Sequence, residues 1–319
     1  CGKAITATLI AVLVSQGKIP GGYDATVASV LSAGSHCGTG FDASYGPVTL
    51  RQLLTHTGSL TTDPAEDAWA LAWQLAISGK PLRQQRSEFL TACLSRAAPS
   101  GDAVAAALTT GRYEYSNQGY ALAAHMAEVA TGIDYETMLK DVLFTPLGMA
   151  SAEFGAQGAP DGCGKTPDVV ARSSPWGHGE QSGWEAKDPR DGNADNPSPI
   201  TPAGRIHATM ADWAAFVAVH VDKEAAKKAL GIDGDAFDSM HAKHEPSTGD
   251  YCLAGFIPCT RGWQRGSLCL NHAGSNTFNF CSVWATEGAA TLVTTNHGGC
   301  AGVVDAAHGK LLQQAGLIK

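Results

Sequence analysis

The sequence predicts an α+β fold, an antiparallel sheet flanked by helices with a mainly helical region inserted into it. Three observations carry this. Apolar residues recur at helical spacing at Ile5, Leu9, Val12 and Leu13, and again from Gln118 to Ala130. After Tyr251 the pattern turns into short β-rich runs (Cys252–Ile257, Ser267–His272, Phe278–Trp284 and Ala290–Thr295), spaced for an antiparallel meander. The 319 residues can bury a sizeable core. We read residues 1–319 as a single domain, with 1–20 and 206–319 as its sheet-containing part and 21–205 as its mainly helical part.

Each element has its own signal. The opening helix stops at Gly17, before Pro20. Val48–Thr55 runs into a turn at His56-Thr57-Gly58-Ser59. Asp63-Pro64-Ala65-Glu66 supplies an N-cap acid, a proline at N1 and a glutamate at N3, predicting a helix to about Ser78. Gly79-Lys80-Pro81 separates it from another helix reaching about Arg96. Gln118–Ala130 is stopped by Thr131-Gly132, and Asp134 caps a helix to about Leu143. From 155 to 202 the chain is rich in Gly, Pro, Asp and Ser without periodicity, a long loop of the kind that is functional or mobile. Asp212–Val221 is helical again, and Gly302–Ala315 is a closing helix. The sheet is short of strands and the chain opens at Cys1 inside a buried helix, so further strands are expected before Cys1.

Composition narrows the function. A net charge of -8, with no basic run longer than Lys227-Lys228, argues against nucleic-acid binding. Hydrophobic residues at 44% and charged residues at 16% exclude wholesale disorder. The longest apolar stretch, Ile5–Val14, is too short for a membrane span. Nine cysteines are numerous for a reduced cytosolic enzyme, and none shows the C-x₂-C spacing of structural zinc. Disulfides in a periplasmic or secreted protein compete evenly with free thiols, and no metal or cofactor is called for. Cys269 and Cys281 fall on consecutive predicted strands, where they could oppose each other, and at least one disulfide is expected among the last five cysteines.

Four separated segments form one constellation. They are Cys1-Gly2-Lys3-Ala4; Tyr115-Ser116-Asn117; His272-Ala273-Gly274-Ser275; and a framework of Leu53-Leu54-Thr55-His56-Thr57, Pro146-Leu147-Gly148-Met149 and Pro202-Ala203-Gly204 with Asp212-Trp213. In order and spacing these resemble the S-x-x-K helix, the Y-x-N loop, the K-T-G or H-x-G strand and the scaffold of β-lactamase-related serine hydrolases. The branch holding class C β-lactamases, D-amino-acid peptidases and esterases is the most similar. The resemblance implies a β-lactamase/transpeptidase-like fold and an acyl-enzyme mechanism on an ester, amide, D-amino-acid peptide or β-lactam. It implies Lys3 as the base and Tyr115 as the proton relay. Asn117 would orient lysine and substrate, and His272 would bond the phenol and the substrate. Gly274 would let the strand edge approach the substrate, and the Ser275 N–H would supply half an oxyanion hole.

One departure matters. Three residues before Lys3 lies the position preceding Cys1, and the resemblance implies the nucleophilic serine there. Cys1 cannot replace it, because two residues along a helix turn the side chain by about 200°. The chain from Cys1 to Lys319 is then expected to be inactive without that serine.

Each candidate also has a plain structural reading. Lys3 could be a solvated helix-start lysine, Tyr115 an aromatic packed beside Tyr113 and Tyr120, Asn117 a turn residue and His272 a satisfied strand histidine. The register they share favours the site. His56 is read as structural, closing a turn, and Trp176-Gly177-His178 as loop packing that could border the cleft. Where relatives often carry Ser-Gly, this chain has Gly58-Ser59, which puts the local turn geometry in question. His207, His220, His241, His244, His297 and His308 show no metal spacing. Two other functions compete: a non-catalytic relative that binds peptide or cell-wall fragments, and an N-terminal-nucleophile hydrolase using Cys1. The partner is a small molecule or peptide, and the sequence leaves the oligomeric state open.

Overall fold

The computed structural model describes residues 1–31, 41–61, 63–95, 111–157, 174–179, 184–244 and 249–319. Helix α1 (Gly2–Ser15) is buried on every side from Gly2 to Leu13, so it lacks a polar stripe and forms the centre of the core. Gly17, at φ +66°, ends it as predicted. The short α2 (Val27–Val30) and α3 (Leu50–Leu54) each begin with a threonine capping box, Thr26 with Ser29 and Thr49 with Gln52. Helix α4 (Glu66–Ala76) starts later than expected. Asp63 is not its cap: Ala65 takes that place without a side-chain bond, and acids Glu66 and Asp67 occupy the first turn. Helix α5 is Leu82–Leu94. Helix α6 (Asn117–Thr131) starts on Ser116, whose Oγ accepts the Gly119 N–H, and ends at Gly132 with φ +74°. Helix α7 (Tyr135–Leu139) runs on into a π-type turn over Lys140–Phe144.

The described parts of the expected loop carry structure of their own. Strand β2 (Gly177–His178) pairs with β3 (Ala186–Lys187), and helix α8 is Thr201–Gly204. Outside it, β1 (Glu153–Phe154) pairs with β4 (Ile206–His207). Residues 158–173 and 180–183 of that segment lie outside the described residues. Helix α9 (Met210–Val221) is followed by α10 (Lys223–Leu230) and α11 (Gly234–His241), which the sequence pattern did not reveal. Each is 8 residues long, below the window in which a 3.6-residue period shows itself, although Asp222 and Asp233 cap them.

The main sheet is the antiparallel meander β5 (Ile257–Pro258), β6 (Cys269–Ser275), β7 (Phe280–Thr286) and β8 (Ala289–Thr295), closed by helix α12 (Ala301–Gln314). Two expectations fail here. Most of Cys252–Ile257 is a turn rather than a strand. Gly255 sits at φ +71° hard against α1, where a Cβ would lie 2.8 Å from Ala4 Cα. Nor do Cys269 and Cys281 oppose each other, since Cys269 faces Thr286 and Cys281 faces Gly274. No helix among the described residues is long and apolar enough to cross a membrane.

A buried polar cluster ties the helices together. Arg86 on α5 contacts Glu128 of α6 at 2.9 Å and Glu136 of α7 at 3.0 Å. His125 also bonds Glu128, and the Tyr135 N–H donates to the same carboxylate. The Tyr135 hydroxyl lies 2.6 Å from Thr6 Oγ1, so the cluster reaches α1 directly.

Candidate active site

Lys3 lies in the first turn of α1 and is only 4% exposed. Its Nζ donates to Tyr115 Oη at 2.6 Å, Asn117 Oδ1 at 2.7 Å and the Ala203 carbonyl at 3.2 Å. Among the described residues no carboxylate pairs with it. Burial draws its ammonium from 10.5 down to about 7, so charged and neutral forms coexist near neutral pH. The partners differ in what they allow. Asn117 Oδ1 and the Ala203 carbonyl only accept, whereas the Tyr115 hydroxyl can also donate. The network therefore suits either protonation state: when Lys3 loses a proton, Tyr115 can turn its O–H toward the amine. Among these three partners, the one through which the proton can travel is the phenol, which burial pushes up to about 12.

The Tyr115-Ser116-Asn117 segment is held by the start of α6 and by His56. Asn117 is the first residue of that helix rather than a free turn residue. The Ser116 N–H donates to His56 Nδ1 at 3.0 Å, and the His56 carbonyl accepts the Glu114 N–H at 2.7 Å. Accepting at Nδ1 makes the ring a neutral Nε2–H tautomer, consistent with burial and then Lys3 keeping it well below the usual histidine range. His56 has φ +58° and Ser59 φ +57°, so the Gly58-Ser59 order leaves a side-chain-bearing residue in left-handed backbone. The structural reading of His56 is the one the geometry supports: its ring lies 4.6 Å from that of Tyr115.

Strand β6 brings the third segment alongside. His272 is buried at 4% exposure, and burial first, with Lys3 nearby, keeps it neutral. Its partner is not the Tyr115 phenol expected from the sequence. Nε2 lies 3.2 Å from the hydroxyl of Tyr251, a residue the sequence reading did not single out. Tyr251 also packs against His56, edge to face at 4.6 Å, and so bridges the framework turn to β6. Its only signal in the sequence was its place just before a β-rich run, which many tyrosines share. Gly274 earns its missing side chain by contact with α1: a Cβ there would lie 2.3 Å from the Cys1 nitrogen. Ser275 ends β6, and its hydroxyl donates to the Gly298 carbonyl at 3.3 Å.

Trp176-Gly177-His178 flanks this end of the sheet. The His178 N–H is shared between the Phe278 and Asn296 carbonyls, and its own carbonyl accepts the Gly298 N–H. A Cβ on Gly177 would lie 2.7 Å from Phe278 Cβ, which fixes the segment against the β6–β7 turn. Of the other histidines, His220, His241, His297 and His308 are buried. Among the described residues no group of three or more metal-ligating side chains gathers.

Comparisons with known proteins bear on the family and the fold. Residues 1–309 match the family model described as Beta-lactamase. The fold is similar to that of SurE, at TM-score 0.70 and 22% identity, covering 99% of this chain and 63% of that one. It is similar to a penicillin-binding protein from Bacillus halodurans, at TM-score 0.66 and 19% identity, covering 97% and 84%. It is also similar to a D-stereospecific amidohydrolase from Streptomyces sp., at TM-score 0.66 and 20% identity, covering 96% and 84%. The chain thus spans 63% of the length of the SurE structure. Among curated proteins, none matches.

Proposed function

Because the chain belongs to the β-lactamase family, we propose that it works as a serine hydrolase, through an acyl-enzyme formed on a serine directly preceding Cys1. The observation that carries this is Lys3, a buried amine with no counter-charge, drawn down to about 7 and bonded to Tyr115 and Asn117. A structural lysine gains nothing from such a place, whereas a general base needs a pKa near the working pH. The Cys1 nitrogen rests against Gly274, and a serine attached to it would stand beside strand β6, one helical turn from Lys3. From there its hydroxyl proton passes to the Lys3–Tyr115 pair as oxygen attacks the substrate carbonyl. Tyr115 returns a proton to the leaving group, and water then releases the acyl group. Asn117 orients the amine, and the Ser275 N–H faces the developing oxyanion.

The substrate we propose is an ester or small amide, D-amino-acid peptides included; the Streptomyces protein similar in fold is described as a D-stereospecific amidohydrolase. His272 stands where relatives carry a lysine, and its neutrality removes a fixed cation that would hold a β-lactam or peptide carboxylate. The test is labelling by a fluorophosphonate of the protein carrying that serine. The expected result is one adduct, on the residue three before Lys3. No adduct would favour a non-catalytic peptide-binding relative, and stoichiometric acylation of Cys1 would favour the N-terminal-nucleophile mechanism.

A further inference from the structure

Cys1 and Cys281 are far apart in sequence and meet beside the active site. The sulfurs lie 3.4 Å apart, where helix α1 abuts the sheet. Cys281 sits directly across from Gly274 on β7, and the missing Gly274 side chain leaves the room in which they meet. Apart from each other, the nearest acceptors for these thiols are the His272 and Cys281 carbonyls, each 3.9 Å from Cys1 Sγ, long even for sulfur. Both residues are partly exposed, so a small oxidant can reach them. A second pair at the same sheet offers a comparison: Cys259, which follows β5, and Cys269 on β6 have their sulfurs 2.8 Å apart.

We propose that Cys1 and Cys281 form a reversible disulfide that fastens the N-cap of α1 to β7, two residues from Lys3. The spacing closes to about 2.05 Å by side-chain rotation. The oxidant is a small-molecule disulfide such as oxidised glutathione. One cysteine thiolate attacks it and expels a first glutathione thiolate. The second cysteine then attacks the mixed disulfide and expels the other. The cysteine pair loses two electrons, glutathione disulfide is reduced to two thiols, and the two cysteine protons pass to them. The bond spans almost the whole chain, so it holds α1 and the sheet together when the rest opens.

The inference does not depend on the hydrolase reading, because its test is chemical. The full chain is equilibrated with oxidised and reduced glutathione, alkylated without reduction, and mapped by mass spectrometry beside thermal unfolding. The expected result is a Cys1–Cys281 linked peptide, lost on reduction, together with a higher Tm in the oxidised form. Cys281→Ser should remove both the peptide and its share of the Tm rise, while Cys259→Ser should leave them. Full alkylation of Cys1 and Cys281 under oxidised glutathione, with Cys259 and Cys269 linked in the same sample, would overturn it. So would a linked peptide without any Tm difference between wild type and Cys281→Ser.

Discussion

Two buried cations, Arg86 on α5 and Lys3 on α1, have opposite surroundings. Arg86 is completely buried and paired with two carboxylates, Glu128 and Glu136. Lys3 is nearly as buried and, among the described residues, has only neutral hydrogen-bond partners. Desolvation works against the charge at both. Around Arg86 the glutamates outweigh it, so the guanidinium stays charged and, against the pull of burial, Glu128 is held at about 2. Around Lys3 nothing outweighs it, and the amine becomes titratable near neutrality. A buried charge with its counter-charges fastens helices; a buried charge without one is a chemical reagent stored at a cost in stability.

Removing Lys3 sharpens that contrast most. Lys3→Met in the serine-bearing protein should lower acylation by on the order of 10⁴-fold, as loss of one member of such a unit does. The same change should raise the denaturation midpoint at pH 6, since it relieves a desolvated charge. A variant that is both active and less stable would break the comparison. Tyr115→Phe leaves the amine but removes the only partner that can donate to it, and should lower kcat roughly 10²–10⁴-fold with little change in stability. Near-normal turnover of an activated ester would take the phenol out of the mechanism.

On the other side, Glu128→Ala should destabilise the protein by about 3–5 kcal/mol, because Arg86 and the Tyr135 N–H lose a buried acceptor. Urea unfolding at pH 7 measures this, and a change below about 1 kcal/mol would mean the cluster is far better hydrated than its burial implies. The smallest effect is a slope. The folded pKa of Lys3 lies near 7 and its ordinary value at 10.5, so between them the unfolded chain binds more protons. Stability should therefore rise with pH across that window, and below it the full cost of burying the ammonium is present. Cys93 and Cys252, which burial pushes up to about 12 and about 11, oppose this at the alkaline end. The difference between wild type and Lys3→Met, measured at each pH, isolates the lysine; a flat difference would contradict its depressed pKa.

The sequence by itself determined the frame: an α+β chain, the helix carrying Lys3, the meander after Tyr251, and the segments holding Tyr115, Asn117, His272 and Gly274. These were legible because each is written locally, in a period, a cap or a short motif. The order of motifs identified the family without any contact being known. What only the tertiary structure decided were the relations between distant segments. His272 bonds Tyr251 rather than Tyr115, His56 holds the Ser116 N–H, and Cys281 meets Cys1 while Cys269 meets Cys259. Register across β6 and β7 cannot be counted from strand lengths when the turn between them is unknown, and a shift of pairing changes every cross-strand partner. The state of Lys3 was beyond the sequence for the same reason. Its charge depends on desolvation by residues that adjoin it only once α1, α6 and α8 have packed, and local sequence holds no measure of that.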